Sequence, residues 1–136
     1  MDNEVAKFIR KAESDKIVCE QLDAVTAKKQ CAVICYHAQQ MVEKIIKALL
    51  KTAHPNMAIQ RTHDIGFLLE QIADVCDVPD EMMGWAEKLT TYESYTRYEL
   101  AESIDEAESK VALYRANKMY DWAIAHIRRC EEDSKV

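Results

Sequence analysis

A single all-α domain, an up-and-down bundle of four main helices plus one short helix, is what this sequence predicts. Three observations carry that prediction. Only 2 Gly and 2 Pro occur in 136 residues, too few for the turns of a β-rich chain. Apolar residues recur three and four apart through long stretches, the period of a helix with one buried face. Both prolines stand in short breaks, His54-Pro55-Asn56 and Asp77-Val78-Pro79-Asp80, where the residue before proline is steered out of helix. Hydrophobic residues make up 49% and charged residues 31%, enough to fill a core without staples. No repeat, linker or low-complexity tract divides residues 1–136, so one domain is expected.

The first helix is expected over roughly 3–25. Phe8, Ala12, Cys19 and Leu22 share a face, and Asp15 interrupts it. The second is expected over roughly 28–53. Ile34, Ala38, Met41, Ile45 and Ala48 form its apolar stripe, with Leu49 beside it. On another side His37, Gln40, Lys44, Lys47 and Lys51 align as a polar ridge. A third helix opens near Thr62, a favourable N-cap, and carries Ile65, Leu68, Leu69 and Ile72. A shorter helical segment follows Pro79-Asp80-Glu81 with Met82, Trp85 and Leu89, and an aromatic stretch of Tyr92, Tyr95 and Tyr98 comes after it. The last helix starts at Ser103-Ile104-Asp105-Glu106, read as a capping box, and runs to roughly 132. Its seam of Leu113, Ala116, Tyr120, Ala123, Ile127 and Cys130 suits bundle packing and can equally serve a dimer.

The net charge of -6 opposes nonspecific attraction to nucleic acid, and no DNA partner is expected. Five cysteines without a CxxC pair read as free, mostly buried thiols in a reducing cytosol. No second Cys or His cluster is placed to complete a metal site. No signal peptide and no membrane-length apolar run is found, so a cytoplasmic protein without membrane contact is expected.

Three stretches carry a family resemblance. The second helix reads Cys35-Tyr36-His37-Ala38-Gln39-Gln40, then Glu43-Lys44 and Lys47-Ala48-Leu49-Leu50. Arg61-Thr62-His63-Asp64-Ile65 follows, with Leu68-Leu69. Then come Leu89, Tyr92, Tyr95 and Arg97-Tyr98. In this order they resemble the signature segments of the HEPN (higher eukaryotes and prokaryotes nucleotide-binding) family, and Asp15 resembles an Asp of its first helix. Glu99 stands where the family usually has Pro after Arg-Tyr. Ribonuclease members of the superfamily carry an Arg followed, after four to six residues, by His. No Arg of this chain has a His at that spacing. The resemblance therefore implies the non-RNase branch often paired with a minimal nucleotidyltransferase, a homodimer, and a nucleotide-binding or partner-regulating role.

On these grounds a candidate site for a nucleotide or phosphate comprises His37, Gln40, Lys44, Lys47, His63, Asp64, Arg97 and Tyr98. Lysine supplies a point charge for phosphate, and glutamine can orient a base or sugar. The same ridge can also be a solvated or dimer-facing helix side. His63 and Asp64 lie at a helix N-terminus, where amides and dipole favour an anion. The alternative is a cap plus a packed histidine. Arg97 among tyrosines can stack a base and hold phosphate, or anchor its segment on Asp15, Glu43 or a carbonyl. No activated nucleophile with a base, paired carboxylate cleft or P-loop is visible, so the reading leans away from an enzyme, with no cofactor beyond a nucleotide ligand. Three functions stay open: a non-catalytic binding module in a toxin–antitoxin-like or regulatory pair with a nucleotidyltransferase, a ribonuclease toxin, and a dimeric scaffold without ligand.

Overall fold

The computed structural model describes residues 1–25, 30–95 and 103–134. They form α1 (Asn3–Asp23), α2 (Cys31–Ala53), α3 (Ile65–Ile72), α4 (Asp80–Tyr95) and α5 (Glu106–Ser134), with no strand among the described residues. The all-helical expectation holds. No helix among the described residues is long and apolar enough to cross a membrane.

α2 is the centre of the bundle: α1, α3, α4 and α5 all pack against it, while α1 and α5 touch each other little. Its sequence explains the position. The expected stripe, Ile34, Ala38, Met41, Ile45, Ala48 and Leu49, is fully buried. So are Val42, Ile46 and Leu50 on other sides of the same helix. A helix apolar nearly all round must be enclosed by neighbours. α1 contributes Val5, Ala12 and Cys19, and α5 contributes Ala116, Met119, Ala123 and Ile127.

Two helix caps differ from those the sequence suggests. α3 is capped by Asp64, whose carboxylate accepts from Phe67 N–H, rather than by Thr62. The Thr62 hydroxyl accepts from Asp64 N–H and so shapes the approach. Asp is as good a cap as Thr, and Ile65, next in line, is the first residue with a core to reach. α5 likewise begins after Asp105, which accepts from Glu108 N–H at 2.8 Å, two residues later than the Ser103 box suggests.

The short helix is α3, not the segment after Pro79. α4 runs through Tyr95, because Met82, Ala86, Leu89 and Tyr92 continue a buried stripe that carries the helix past Gly84, with no Pro to stop it.

All five cysteines are free thiols. Cys19, Cys35 and Cys76 are buried, and Cys31 and Cys130 are half-buried.

Candidate functional site

The polar ridge of α2 exists, and most of it faces inward. Asp15, buried on α1, receives His37 Nδ1–H at 2.7 Å and Lys44 Nζ at 2.8 Å, one on each carboxylate oxygen. A carboxylate can only accept, so the imidazole nitrogen facing it is the donor. The residue that interrupts the apolar face of α1 is therefore the clamp between α1 and α2. Lys51, further along the ridge, donates to the Met57 carbonyl and lies 3.6 Å from Glu4.

A second carboxylate organises the rest. Glu43 is almost wholly buried and accepts three donors: Gln39 Nε2 at 3.0 Å, Lys47 Nζ at 3.0 Å and His63 Nδ1–H at 2.7 Å. Gln40 joins this network through the Gln39 carbonyl oxygen at 2.6 Å. Burial pushes the Glu43 carboxyl pKa up, but the bonds from His63, Gln39 and Lys47 outweigh it and hold the group below its ordinary value.

His63 is the exposed end of this network. Its side chain is 56% exposed, against 6% for Glu43. The segment that carries it is fixed from both sides. Ile65 N–H donates to the Thr90 hydroxyl of α4, which in turn donates to the Ala86 carbonyl. With Nδ1 committed to Glu43, the imidazole presents Nε2 toward α4, where a Glu93 carboxylate oxygen lies 3.7 Å away. Such a ring can exchange hydrogen bonds with an incoming group.

The predicted site residues thus fall into two sets and a remainder. His37 and Lys44 meet on Asp15, while Gln40, Lys47 and His63 meet on the Gln39–Glu43 pair. Asp64 caps α3 and lines a groove between α3 and α4 of about 500 Å³, whose other acidic walls are Glu70 and Glu87. Arg97 and Tyr98 lie outside the described residues. The ammonium groups of Lys44 and Lys47 are each paired with a carboxylate, so their charge is directed into the fold. Gln39, Glu43 and Glu93 were missed by the sequence reading. The signal for Glu43 was there: Gln39, Glu43 and Lys47 repeat four apart, the spacing of neighbours on a helix surface. Among the described residues, no group of three or more His, Cys, Asp or Glu is placed to hold a metal ion.

Two solved structures share this bundle. TT1696 from Thermus thermophilus aligns with a TM-score of 0.78 at 20% identity, covering 92% of this chain and 99% of that one. ST0689, an archaeal HEPN homologue, aligns with a TM-score of 0.72 at 22% identity, covering 93% and 99%. No curated protein gives a significant match. The model of the HEPN domain matches residues 5–129, a span that includes every helix except the ends of α1 and α5. The chain belongs to the HEPN domain family.

Proposed function

We propose that this chain is a non-catalytic binding module that engages a nucleotide at its His63 edge and works with a nucleotidyltransferase subunit. The observation that carries the reading is the half-exposed imidazole of His63, held through Nδ1 by the buried Glu43, with Nε2 directed toward α4. A polar group pre-oriented by a buried partner lowers the ordering cost of binding. A Glu93 carboxylate oxygen lies 3.7 Å from His63 Nε2, and a carboxylate there suits the hydroxyl and amino donors of a ribose or base. The absence of any Arg-to-His spacing in the sequence supports binding over RNA cleavage. The pairing with a nucleotidyltransferase rests on the resemblance of the three motifs.

Thermal unfolding with and without a nucleotide panel and magnesium tests this. A ligand at about a hundredfold its Kd stabilises by about 2.7 kcal/mol, which moves the midpoint by very roughly 5–15 °C in a domain of this size. The shift is expected with at least one nucleotide and is expected to vanish in His63→Ala. RNA cleavage by the purified chain that is lost in His63→Ala would overturn the non-catalytic reading.

A further inference from the structure

Away from the His63 edge, α4 and α5 enclose a groove of about 310 Å³. Its walls are mostly apolar, with Trp85 and Leu89 from α4 facing Val111 and Ala112 from α5. Val111 remains 46% exposed, and Tyr114, one turn along α5, is 58% exposed. The fold therefore leaves a strip of apolar surface in water beside a concavity.

The groove also carries charged groups. Lys88 and Arg115 line it against one carboxylate, Glu108. Glu108 is engaged: it accepts the Tyr92 hydroxyl at 2.7 Å and lies 3.7 Å from Lys88 Nζ. Arg115 sits over the Trp85 ring at 5.8 Å, and among the described residues it has no carboxylate within salt-bridge distance. A guanidinium near an indole in the lining of an apolar groove offers one positive charge and a fork of donors.

We propose that the α4–α5 groove binds a small organic monoanion, its flat apolar body against Trp85, Leu89 and Val111 and its single acidic head group on Arg115. The volume lies at the low end for small-molecule pockets, roughly 300–1,000 Å³. The Arg115 guanidinium, with no carboxylate within salt-bridge distance among the described residues, complements one negative charge, whereas a polyphosphate would meet Glu108. The groove shares no residue with the His63 edge, so this inference stands apart from nucleotide binding there.

A matched pair of fluorescent probes tests it on the full chain. 1-Anilinonaphthalene-8-sulfonate has a flat aromatic body and one sulfonate, and N-phenyl-1-naphthylamine is the same body without charge. The sulfonate is expected to bind saturably at one per chain, roughly tenfold more tightly than the neutral probe, as one charge-assisted contact at a partly exposed site would give. Arg115→Gln should abolish that preference. Val111→Glu, at an exposed position, should weaken both probes. Ala107→Phe, also exposed and at the groove wall, serves as a second block. Each variant must keep its helical signal and cooperative unfolding, because this dye also reports loosened cores. Equal binding of the two probes, unchanged in Arg115→Gln, would overturn the proposal. So would failure of either probe to bind a chain that sediments as a dimer and becomes monomeric in Val111→Glu, which would make the groove an interface between two copies.

Discussion

His63 Nδ1 lies 2.7 Å from Glu43 Oε1, and the two residues depend on each other unequally. Removing the exposed imidazole leaves Glu43 with Gln39 and Lys47 as donors. Removing the buried carboxylate leaves Lys47 and the fully buried Gln39 without their acceptor. Glu43→Ala is therefore expected to cost about 3–5 kcal/mol, the range for an orphaned partner of a buried ion pair. His63→Ala should cost only about 0.5–1.5 kcal/mol, one net hydrogen bond. Urea unfolding of both variants checks the asymmetry; equal losses would mean that Glu43 does not organise the network.

Acid sensitivity follows from the same residue. The Glu43 carboxyl is held below its ordinary 4.5 in the folded chain. A depressed carboxylate contributes stability that is fully present above the unfolded-state value and is lost as pH falls through the folded-state value. Below about pH 4.5 the unfolded chain takes up the Glu43 proton first, and the native state weakens. Glu43→Gln should be less stable at neutral pH and show a flatter acid limb than the parent. Parallel acid limbs would show that other carboxylates set the response.

The Asp15 clamp makes a different prediction. Asp15→Leu alone strands Lys44, whose side chain is only 21% exposed, and frees His37. Lys44→Met alone leaves Asp15 with His37. The double variant Asp15→Leu/Lys44→Met removes both charges, and replacing a buried pair by apolar groups is often neutral. The double is expected to be more stable than Asp15→Leu, with a coupling of about 1–3 kcal/mol in the cycle. Additive losses would show that the pair contributes nothing as a pair.

Much of this arrangement was legible in the sequence. The α2 stripe and Asp15 as an interruption of the α1 face followed from spacing and residue type, and the three motifs from the family resemblance. What spacing could not convey was which way the ridge points. His37, Lys44 and Lys47 read as a surface because charged residues usually lie there, yet two buried carboxylates turn them inward. Asp15 comes from another helix, so local periodicity could not pair it with Lys44. The helix starts at Asp64 and Asp105 were missed because Thr62 and Ser103 cap equally well on paper. Only the position of Ile65 against the core and the bond from Glu108 N–H decide between them.

Thiol reactivity should separate the five cysteines. Burial pushes the Cys19 and Cys35 thiols up to about 12, so almost no thiolate exists near neutral pH. Under native conditions at pH 8, iodoacetamide is expected to modify the half-buried Cys31 and Cys130 first. Cys19 and Cys35 should react only as the chain unfolds. Peptide mass spectrometry over time checks this; early labelling of Cys19 would mean that the α1–α2 contact opens on its own.

Gly84 offers a stabilising change. It lies exposed within α4, and an added Cβ would meet nothing within 4 Å. Gly84→Ala should raise stability by about 0.4–1 kcal/mol by restricting the unfolded chain. At Gly66 the same methyl would touch the Asp64 carboxylate that caps α3, so no comparable gain is expected there. Thermal midpoints of both variants check the contrast.

The position of α2 bears on how the chain folds. α1 and α2 are neighbours in sequence and can pair after closing one short connection, whereas docking α5 must close a loop spanning α3 and α4. Loop closure makes the distant contact the slower one to form. A transition state built on the α1–α2 pair, with α5 arriving last, follows from that order. Truncations along α2 are then expected to slow folding, and truncations along the α5 seam to speed unfolding. The helix that every other helix needs as a wall would also be the one around which the wall is first assembled.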